Sequence, residues 1–429
     1  MLFAVFGWIE CLPAREVPIT ILHTTDLHGH VLPAYDYDGN ENVGGLLRCA
    51  TLIRKLRAEK KNVHLIDGGD LIQGGAESFA SNGRIMIEAM EALEYDAWAV
   101  GNHEFDWGLE NLQALLKTTR LNTLAANMQV KPGAENPLPI VKPYVMKEIE
   151  GVRIAYVGLT TPGIPSWSRP YLLGPLLFTA SVDALRVTMP KVRAEKPDIK
   201  VLVLHQGYRK YGDDHANEIN RIAKHFPEFD LIVGGHTHRV VESLTLGQTL
   251  YTQAGYFGNW LGEVDLVYDT VKKELTRKVA RIHHIARNYD YDPELYARFK
   301  ERLEPHLEKQ ERVIGRSDTD LNSDAEVPGQ SLQQELIARA ILEGTGADIV
   351  IHGALDDRVV PAGEVKEKDI WKIVPYENAI GIVSLTVGEI KEVLEENARR
   401  TGSHYYMGTL GLCYEVDANA EVGQRISNL

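Results

Sequence analysis

Residues 97–108, AWAVGNHEFDWG, carry a short apolar run into Gly101 and then place Asn102, His103 and Glu104 at its end. Asparagine and histidine are poor strand formers, and a turn at a Gly-Asn pair does not by itself need a histidine. An ordinary strand-to-helix turn with a polar cap would explain this fragment alone. The alternative is that the strand delivers these side chains to a site, and the rest of the sequence bears on that choice.

The first two thirds of the sequence have an α/β pattern. From Val17 to about Val267, short apolar runs alternate with helical patterns. Residues 44–60, 83–93 and 213–226 have the apolar spacing of helices. The runs that we interpret as strands are, in chain order, PITILHT, VHLID, AWAVG, RIAYVG, KVLVL and DLIVGG.

The pattern changes after residue 288. Residues 289–312 are charged and broadly helical, and Pro305 interrupts them, so we expect a connecting helix region there. A smaller α/β unit is predicted over residues 313–429. Its expected strands are ADIVIHG and residues 379–387, AIGIVSLTV, and its expected helices are SLQQELIARAILEG and GEIKEVLEENARR.

Side chains that can bind metals follow five of the predicted strands at the point where each strand ends. Open α/β sheets build ligand sites at the carboxyl ends of their strands, and adjacent glycines let the backbone turn sharply. Each fragment alone has a structural explanation, such as a turn cap or a core histidine. Five of them in order favour a common site, which we expect at one sheet edge. The residues are Asp26 with His28, Asp70, Asn102 with His103, His205, and His236 with His238.

These strand ends supply seven candidate metal donors, which are too many for one tetrahedral zinc ion. They suit two divalent ions that share one carboxylate, the arrangement that holds both the attacking and the leaving oxygen in phosphoryl transfer. Nitrogen and oxygen donors without thiolate suit zinc, manganese, iron or cobalt, and the pattern does not choose among these metals. The seven are Asp26, His28, Asp70, Asn102, His205, His236 and His238.

The charge of the chain restricts its partners. Its 429 residues include 60 acidic and 46 basic ones, for a formal net charge of -14. An acidic surface repels the backbone of a nucleic acid polymer, so we expect none as a partner. A small anion is compatible if local cations offset the field. After the N-terminus no apolar run approaches the roughly 18 residues of a membrane span, so none is predicted.

Five motifs, TTDLHG, DGGD, GNHEFDWG, LHQG and GGHTH, resemble the ordered signature of calcineurin-like metallophosphoesterases. GNHEFDWG and YTQAGYFGNWLGEVDL are similar to the branch of 5'-nucleotidases and 2',3'-cyclic phosphodiesterases. The resemblance implies an α/β fold in which two sheets pack face to face between helices, followed by a smaller α/β domain. With it we divide the chain into a leader or partial signal peptide (1–17), a metallophosphoesterase domain (18–288), a linker helix region (289–312) and a truncated 5'-nucleotidase-type C-terminal domain (313–429).

The resemblance also implies a role for each matching residue. The ligands of the first ion map onto Asp26, His28, Asp70 and His238. Asp70 would bridge to a second ion, whose other ligands map onto Asn102, His205 and His236. His103 matches the family's catalytic histidine, which stabilises charge on the transferring phosphoryl group or protonates the leaving oxygen. Asp106 matches the carboxylate that orients this histidine.

The nucleotide-binding loop of the family is less well preserved. The stretch IHGALDDR stands where the family has Asn-Gly-Gly-Gly-x-Arg, and Arg358 matches the arginine. Asp356 and Asp357 add negative charge, which a phosphate pocket does not favour. Tyr376 matches one of two aromatics that sandwich the base, and the second would lie beyond Leu429. Arg358 and Tyr376 are thus the expected substrate-binding residues, with ordinary surface and packing roles as the alternative.

The function implied is metal-dependent hydrolysis of a small phosphate ester, with the chain acting as a 5'-nucleotidase-like phosphomonoesterase. Two alternatives stay open: a 2',3'-cyclic nucleotide or other phosphodiesterase, and a protein of another class that retains metals and binds without turnover. The family and the apolar first residues, which resemble the end of a secretory signal, indicate a periplasmic or secreted protein, with the cytoplasm as the alternative. The sequence does not indicate the oligomeric state.

Overall fold

The computed structural model describes residues 15–375, 378–403 and 405–429. Most of the leader predicted at residues 1–17 therefore lies outside the described residues. Within the described ranges, no helix combines the length and the apolar character that crossing a membrane requires.

Contacts between Cα atoms divide the chain into two compact units, Met1–Lys300 and Glu301–Leu429. The division falls inside the linker region predicted at residues 289–312. The bounds of the predicted segments themselves remain predictions.

The first unit has the alternating strands and helices that the sequence predicts. Its strands are β1 (Glu16–Thr24), β2 (Ala34–Tyr35), β3 (Glu41–Val43), β4 (Val63–Asp67), β5 (Ala97–Ala99), β6 (Thr123–Leu124), β7 (Met128–Val130), β8 (Tyr144–Ile149), β9 (Val152–Leu159), β10 (Leu176–Phe178), β11 (Ile199–Leu204), β12 (Leu231–Val233), β13 (Val240–Leu246), β14 (Thr249–Ala254), β15 (Trp260–Asp269) and β16 (Glu274–His284). Its helices are α1 (Leu46–Glu59), α2 (Ala76–Ala80), α3 (Arg84–Ala92), α4 (Leu109–Leu116), α5 (Ile164–Trp167), α6 (Pro170–Leu173), α7 (Ser181–Ala194) and α8 (Ile219–His225), and a 3-10 turn covers His103–Phe105.

Two six-stranded sheets form the centre of this unit. The first sheet has the order β16-β15-β1-β4-β5-β6, in which β1, β4, β5 and β6 are parallel. The second has the order β13-β14-β12-β11-β9-β8, in which β14, β12, β11 and β9 are parallel. Antiparallel strands complete both sheets.

The two sheets pack face to face through a buried apolar layer. Successive side chains of a strand point to opposite faces, and β9 shows both environments. Ile154 and Tyr156 lie in the layer between the sheets, whereas Ala155 and Val157 belong to the cluster that includes residues of α7 and α8. Because both faces are covered, the strands have the continuous apolar sequences typical of parallel sheets. The predicted two-sheet α/β sandwich flanked by helices is confirmed.

Two helices of the first unit can be compared with the helices predicted from the sequence. Helix α1 begins after Gly44 and Gly45, whose φ angles are +64° and +80°, and it confirms the helix predicted at residues 44–60. Helix α8 is shorter than predicted, because the stretch before it is held in a loop. There the carboxylate of Asp214 accepts hydrogen bonds from the backbone N–H groups of Ala216 and Asn217, at 2.9 and 2.8 Å.

The second unit is the smaller α/β unit that the sequence predicts. Helix α9 (Pro293–Gln310) spans the division between the units. The elements after it are β17 (Val313–Ser317), α10 (Leu332–Thr345), β18 (Val350–His352), β19 (Gly363–Lys366), α11 (Glu367–Ile373), α12 (Val387–Ala398), β20 (Gly408–Leu410), β21 (Glu415–Val416) and β22 (Ile426–Ser427). The strands form the antiparallel pairs β17-β19, β18-β20 and β21-β22.

The structure corrects two expectations for this region. Pro305 does not interrupt the helix, since α9 runs through it. Proline removes one N–H donor, but the carbonyl of Glu301 that loses its partner belongs to an exposed residue and can accept from water. Residues 378–386 are not a strand, and no strand of the described ranges pairs with them. Thr386 instead caps α12, accepting a hydrogen bond from the Glu389 N–H at 3.3 Å.

An ion cluster lies on the face of the first sheet that points away from the apolar layer. The carboxylate of Glu263 accepts from Arg281 and His283, each at 2.8 Å, and also from Lys60. Asp265 accepts from Lys60 and Arg281, each at 2.7 Å. Burial by itself would raise the pKa of Asp265, but these bonds to cations lower it from 3.8 to about 2. The cluster therefore ties β15 and β16 to the end of α1.

We expect Asp265 to stabilise the folded protein near neutral pH and to lose this effect in acid. Its pKa is lower in the folded chain, so its contribution is fully present above about pH 4 and is lost as the pH falls toward 2. The melting temperature of Asp265→Asn should thus lie below that of the wild type at pH 5, and the gap should narrow by pH 2. Asp318→Asn, in an exposed ion pair with Arg316, is the control and should change little. A gap that stays constant across this pH range would contradict the assignment.

Candidate metal centre

The seven candidate ligands converge on one place, but they come from two sheets. Asp26, Asp70 and Asn102 follow β1, β4 and β5 of the first sheet. His205 and His236 follow β11 and β12 of the second sheet. The expectation of one sheet edge is therefore wrong. The face-to-face packing brings the carboxyl ends of two sets of parallel strands together, and the site lies where they meet.

Five of the seven residues have a left-handed backbone conformation, which is uncommon for residues other than glycine. Such conformations cost on the order of 1 kcal/mol or more each and persist where the surroundings require them, often at functional sites. The residues and their φ angles are Asp26 (51°), His28 (45°), Asp70 (53°), His236 (70°) and His238 (51°). The backbone of these loops is thus shaped to aim side chains.

The donor atoms fall into three groups in which all atoms lie within 4.8 Å of one another. The groups are Asp26, His28 and His238; His28, Asp70 and His103; and Asp70, His205 and His236. His28 and Asp70 each belong to two groups, so the three groups form one connected cluster. Oδ2 of Asp70 lies 2.9 Å from His205 Nε2 and 3.7 Å from His28 Nε2. On the other side, His238 Nε2 lies 3.4 Å from Asp26 Oδ1.

Three of the histidines are oriented by a partner at Nδ1, which leaves Nε2 toward the carboxylates. Metal-binding histidines are usually fixed in this way. The contacts are His28 Nδ1 to the Gln73 carbonyl at 3.1 Å, His205 Nδ1 to the Gly68 carbonyl at 2.9 Å, and His238 Nδ1 to the Tyr37 hydroxyl. The backbone N–H of His236 donates to both oxygens of Asp26, each at 3.0 Å.

Asn102 adds a buried oxygen that no described group satisfies. Its side chain is 7% exposed, and its Oδ1 has no hydrogen-bond partner among the described residues. An unpaired buried carbonyl oxygen is costly, whereas a divalent cation would accept it as a ligand. The orphaned oxygen and the mixed nitrogen and oxygen donors fit the two predicted ions.

Burial and charge affect the histidines of this site in different ways. Burial lowers the pKa of His28 to about 3 and that of His236 to about 4, so both are neutral at pH 7, as metal ligands must be. Burial opposes ionisation of Asp70, but positive charge on His205 and His103 outweighs it and holds the Asp70 pKa well below its usual range. Burial likewise opposes a charge on His205, yet Asp70 raises its pKa to about 10. The proton on His205 balances the charge of the neighbouring carboxylates, and a bound ion would displace it.

His103 and Asp106 form a pair at the opening of the site. Nδ1 of His103 bonds Asp106 Oδ2 at 2.6 Å, and its Nε2 lies 4.0 Å from Asp70 Oδ2. Burial lowers the pKa of His103, but Asp70 and Asp106 together raise it to about 9. The ring is 26% exposed and can reach a substrate. The proximity of His103 to His28 and Asp70 would also allow it to be a metal ligand. The variant His103→Ala, described below, tests which of the two roles it has.

Comparison with known proteins agrees with this geometry. The family model described as calcineurin-like phosphoesterase matches residues 19–240, about half of the chain. The chain belongs to the calcineurin-like phosphoesterase family. The model described as the 5'-nucleotidase C-terminal domain matches residues 313–429. The resemblance stated from the sequence motifs is thus confirmed.

Some relatives of this chain are much longer than it. It is 28% identical to the trifunctional nucleotide phosphoesterase protein YfkN of Bacillus subtilis, over 90% of this chain and 30% of YfkN. It is also 28% identical to a 5'-nucleotidase of Vibrio cholerae, over 89% of this chain and 75% of that protein. Its fold is similar to that of a putative 5'-nucleotidase from Staphylococcus aureus, with a TM-score of 0.78, 20% identity, and 96% of this chain and 86% of that chain covered.

The structure describes one of the two predicted substrate-binding residues. Tyr376 is not among the described residues. Arg358 belongs to the second unit, where its guanidinium donates to the Asp356 carboxylate at 2.9 and 3.0 Å and to the Trp371 carbonyl at 3.3 Å. These bonds offset its charge within its own loop. Its role in substrate binding remains a prediction.

Glu104 is a residue of this chain to which the motifs gave no role. Its fully buried carboxylate accepts backbone hydrogen bonds from two ligand-bearing loops, and burial raises its pKa to about 7. The N–H donors are Gly101 (2.6 Å), Leu71 (2.6 Å), Asp70 (3.1 Å) and Ile72 (3.3 Å). An acidic residue directly after His103 in GNHE was the available signal. Glu104 thus joins the loop of Asp70 to that of Asn102.

We expect Glu104→Gln to weaken metal binding. The amide keeps the shape of the side chain but turns an NH2 group toward N–H donors, so at least one backbone group loses its acceptor. A change of this kind in the support of metal ligands typically costs about 10–100-fold in affinity, which Mn²⁺ titration calorimetry would measure. Glu395→Gln is the matched control, because the buried Glu395 accepts from Gly423 and Ile426 N–H groups in the second unit. Wild-type Mn²⁺ affinity in Glu104→Gln, or equal losses in both variants, would contradict this role.

Proposed function

We propose that this chain hydrolyses small phosphate esters at a centre that holds two divalent ions. The observation that supports the proposal is that six of the seven predicted donors, all except Asn102, fall into three groups linked by His28 and Asp70, with members from both sheets. The pair of His103 and Asp106 beside them supports turnover as opposed to metal storage, because a metal scaffold needs neither residue. Bound ions would supply Lewis acidity, which lowers the pKa of a water molecule and stabilises phosphoryl oxygens.

The residues of the chain divide the remaining work. The neutral rings of His28 and His236 and the carboxylates of Asp26 and Asp70 would bind the cations. These cations would create a positive field in a chain whose formal net charge is -14. An anionic substrate needs such a local field. His103, whose Nδ1 is held by Asp106, can donate a proton from Nε2 to the leaving oxygen or stabilise charge on the phosphoryl group. Asp106 fixes the direction of that ring.

Within this class we propose a 5'-nucleotidase-type phosphomonoesterase. The names of the relatives, a nucleotide phosphoesterase and a 5'-nucleotidase, support nucleotides as candidate substrates. A phosphodiesterase that cleaves 2',3'-cyclic nucleotides or other diesters is the second candidate, since the N-terminal motifs resemble both groups. For the location we keep the periplasm or the cell exterior, as the resemblance to secreted nucleotidases suggests.

A turnover assay tests the proposal and separates the candidates. With Mn²⁺ added, the protein should release nitrophenol from 4-nitrophenyl phosphate faster than from bis(4-nitrophenyl) phosphate. The reverse order would favour the diesterase. Retained Mn²⁺ without turnover of either compound, or of AMP and 2',3'-cyclic AMP, would favour a metal-binding protein that has no catalytic activity.

Two variants separate the catalytic and ligand roles. We expect His103→Ala to lower kcat by roughly 10²–10⁴-fold while two ions per chain remain bound. Asp70→Asn should instead weaken metal binding itself, because it removes the charge shared by both sites. Metal analysis after dialysis, alongside kcat with 4-nitrophenyl phosphate, provides the comparison. Loss of an ion in His103→Ala would make His103 a ligand, and at most one ion in the saturated wild type would contradict the two-metal centre.

A further inference from the structure

Trp167 is a large aromatic residue that the fold holds partly in solvent beside the candidate metal centre. It ends the short helix α5, and 48% of it is exposed. Its ring centroid lies 5.2 Å from that of the predicted ligand His236, with an angle of 37° between the planes. The ring of His215 lies 5.8 Å away on the neighbouring loop. Single exposed hydrophobic side chains are common on protein surfaces, so it is the place of this indole beside a predicted ligand that calls for an explanation.

The fold fixes the indole in this position. A Cβ atom on Gly163 would lie 2.7 Å from the ring atom Cη2 of Trp167, so the glycine leaves room for the edge of the indole. The Cβ atom of Ala216 lies at the same place, 2.9 Å from where the Cβ atom on Gly163 would be. Trp167 is thus wedged between a glycine, an alanine and two histidine rings, and its free surface is presented next to His236.

A second exposed aromatic residue at the centre, Tyr37, makes different contacts. Its ring stacks on Tyr256 at 4.1 Å, and its hydroxyl bonds Nδ1 of His238. The hydroxyl of Tyr37 therefore orients a predicted ligand, and Tyr256 covers one face of its ring. Among the described residues, the rings of His215 and His236 are tilted by 53° and 37° against Trp167, and the 48% exposure of this residue leaves surface available for a planar group.

We propose that Trp167 is a stacking subsite for a planar aromatic group of the substrate, a nucleobase or an aryl ring, whose phosphate is held at the metal centre. This inference rests on the proposed function and adds the substrate class. The leaving group of an ester bound at His236 must extend away from the ligands, and the indole is the apolar surface beside it. Stacking is tolerant of base identity, because every base has a π face. The first unit would then select aromatic esters with its own residues.

Activity measurements compare AMP with ribose 5-phosphate, which differs from it by the base. Stacking of one base is worth about 5- to 150-fold in binding. We expect Trp167→Ala to lower kcat/KM for AMP by a factor in this range, mainly through KM, and to change that for ribose 5-phosphate by less than about twofold. Trp167→Phe should restore much of the AMP activity. The matched control is Tyr171→Ala, because Tyr171 is an aromatic residue of the same segment that is 69% exposed and contacts Arg169. This variant should leave the ratio of kcat/KM for AMP to that for ribose 5-phosphate unchanged.

A second measurement needs no turnover. In EDTA, saturation-transfer NMR should show transfer from the wild-type protein to the base protons of adenosine, and several-fold less transfer in Trp167→Ala. This result would stand even if the chain hydrolysed no ester, so the subsite and the proposed function can fail separately.

Three outcomes would overturn the subsite. Equal losses for AMP and ribose 5-phosphate, with weaker Mn²⁺ binding, would mean that Trp167 only supports His236. Unchanged kcat/KM for both substrates would mean that the indole makes no contact with substrate. Equal saturation transfer to adenosine in wild type and Trp167→Ala would place base binding elsewhere in the chain.

Discussion

The buried carboxylate of Asp70 is the constraint on which the rest of the centre depends. Its side chain is 2% exposed and lies within 4.0 Å of ring nitrogens of His28, His103 and His205. A buried charge is tolerated only when it is paired and hydrogen-bonded. Loops from both sheets must therefore bring imidazole groups to one carboxylate, and the sandwich of two sheets makes this meeting possible.

This arrangement strains the chain locally, and neighbouring groups hold it in place. The left-handed conformation of Asp70 and its neighbours would relax if the loops were free. Glu104 prevents this by accepting backbone hydrogen bonds from two loops, and Gly101 leaves the space, since a Cβ atom there would lie 2.2 Å from Asp70 Oδ1. Stability and function are thus linked, because the same loops that are strained also carry the ligands.

The chemistry and the selection of substrate have different physical bases. The proposed metal centre would recognise the phosphate, which all candidate substrates share. In the second unit, Asp356 and the Trp371 carbonyl engage Arg358, so its charge is partly offset there. In the first unit, Trp167 is an exposed planar surface beside a predicted ligand. Selection for an aromatic group can therefore operate close to the reacting phosphate.

The sequence by itself determined the α/β class, the order of the ligands and the helix at residues 44–60, because apolar period, glycine position and strand-end polar residues are local properties. It gave the donors but placed them at one sheet edge, since a strand sequence states which residues share a face and not which sheet lies opposite. Residues 379–387 have the composition of a strand, yet strand formation needs a partner, which the described structure does not provide there. The role of Glu104 and the position of Trp167 likewise arose only in the tertiary structure, because backbone amides and ring contacts distant in sequence define them.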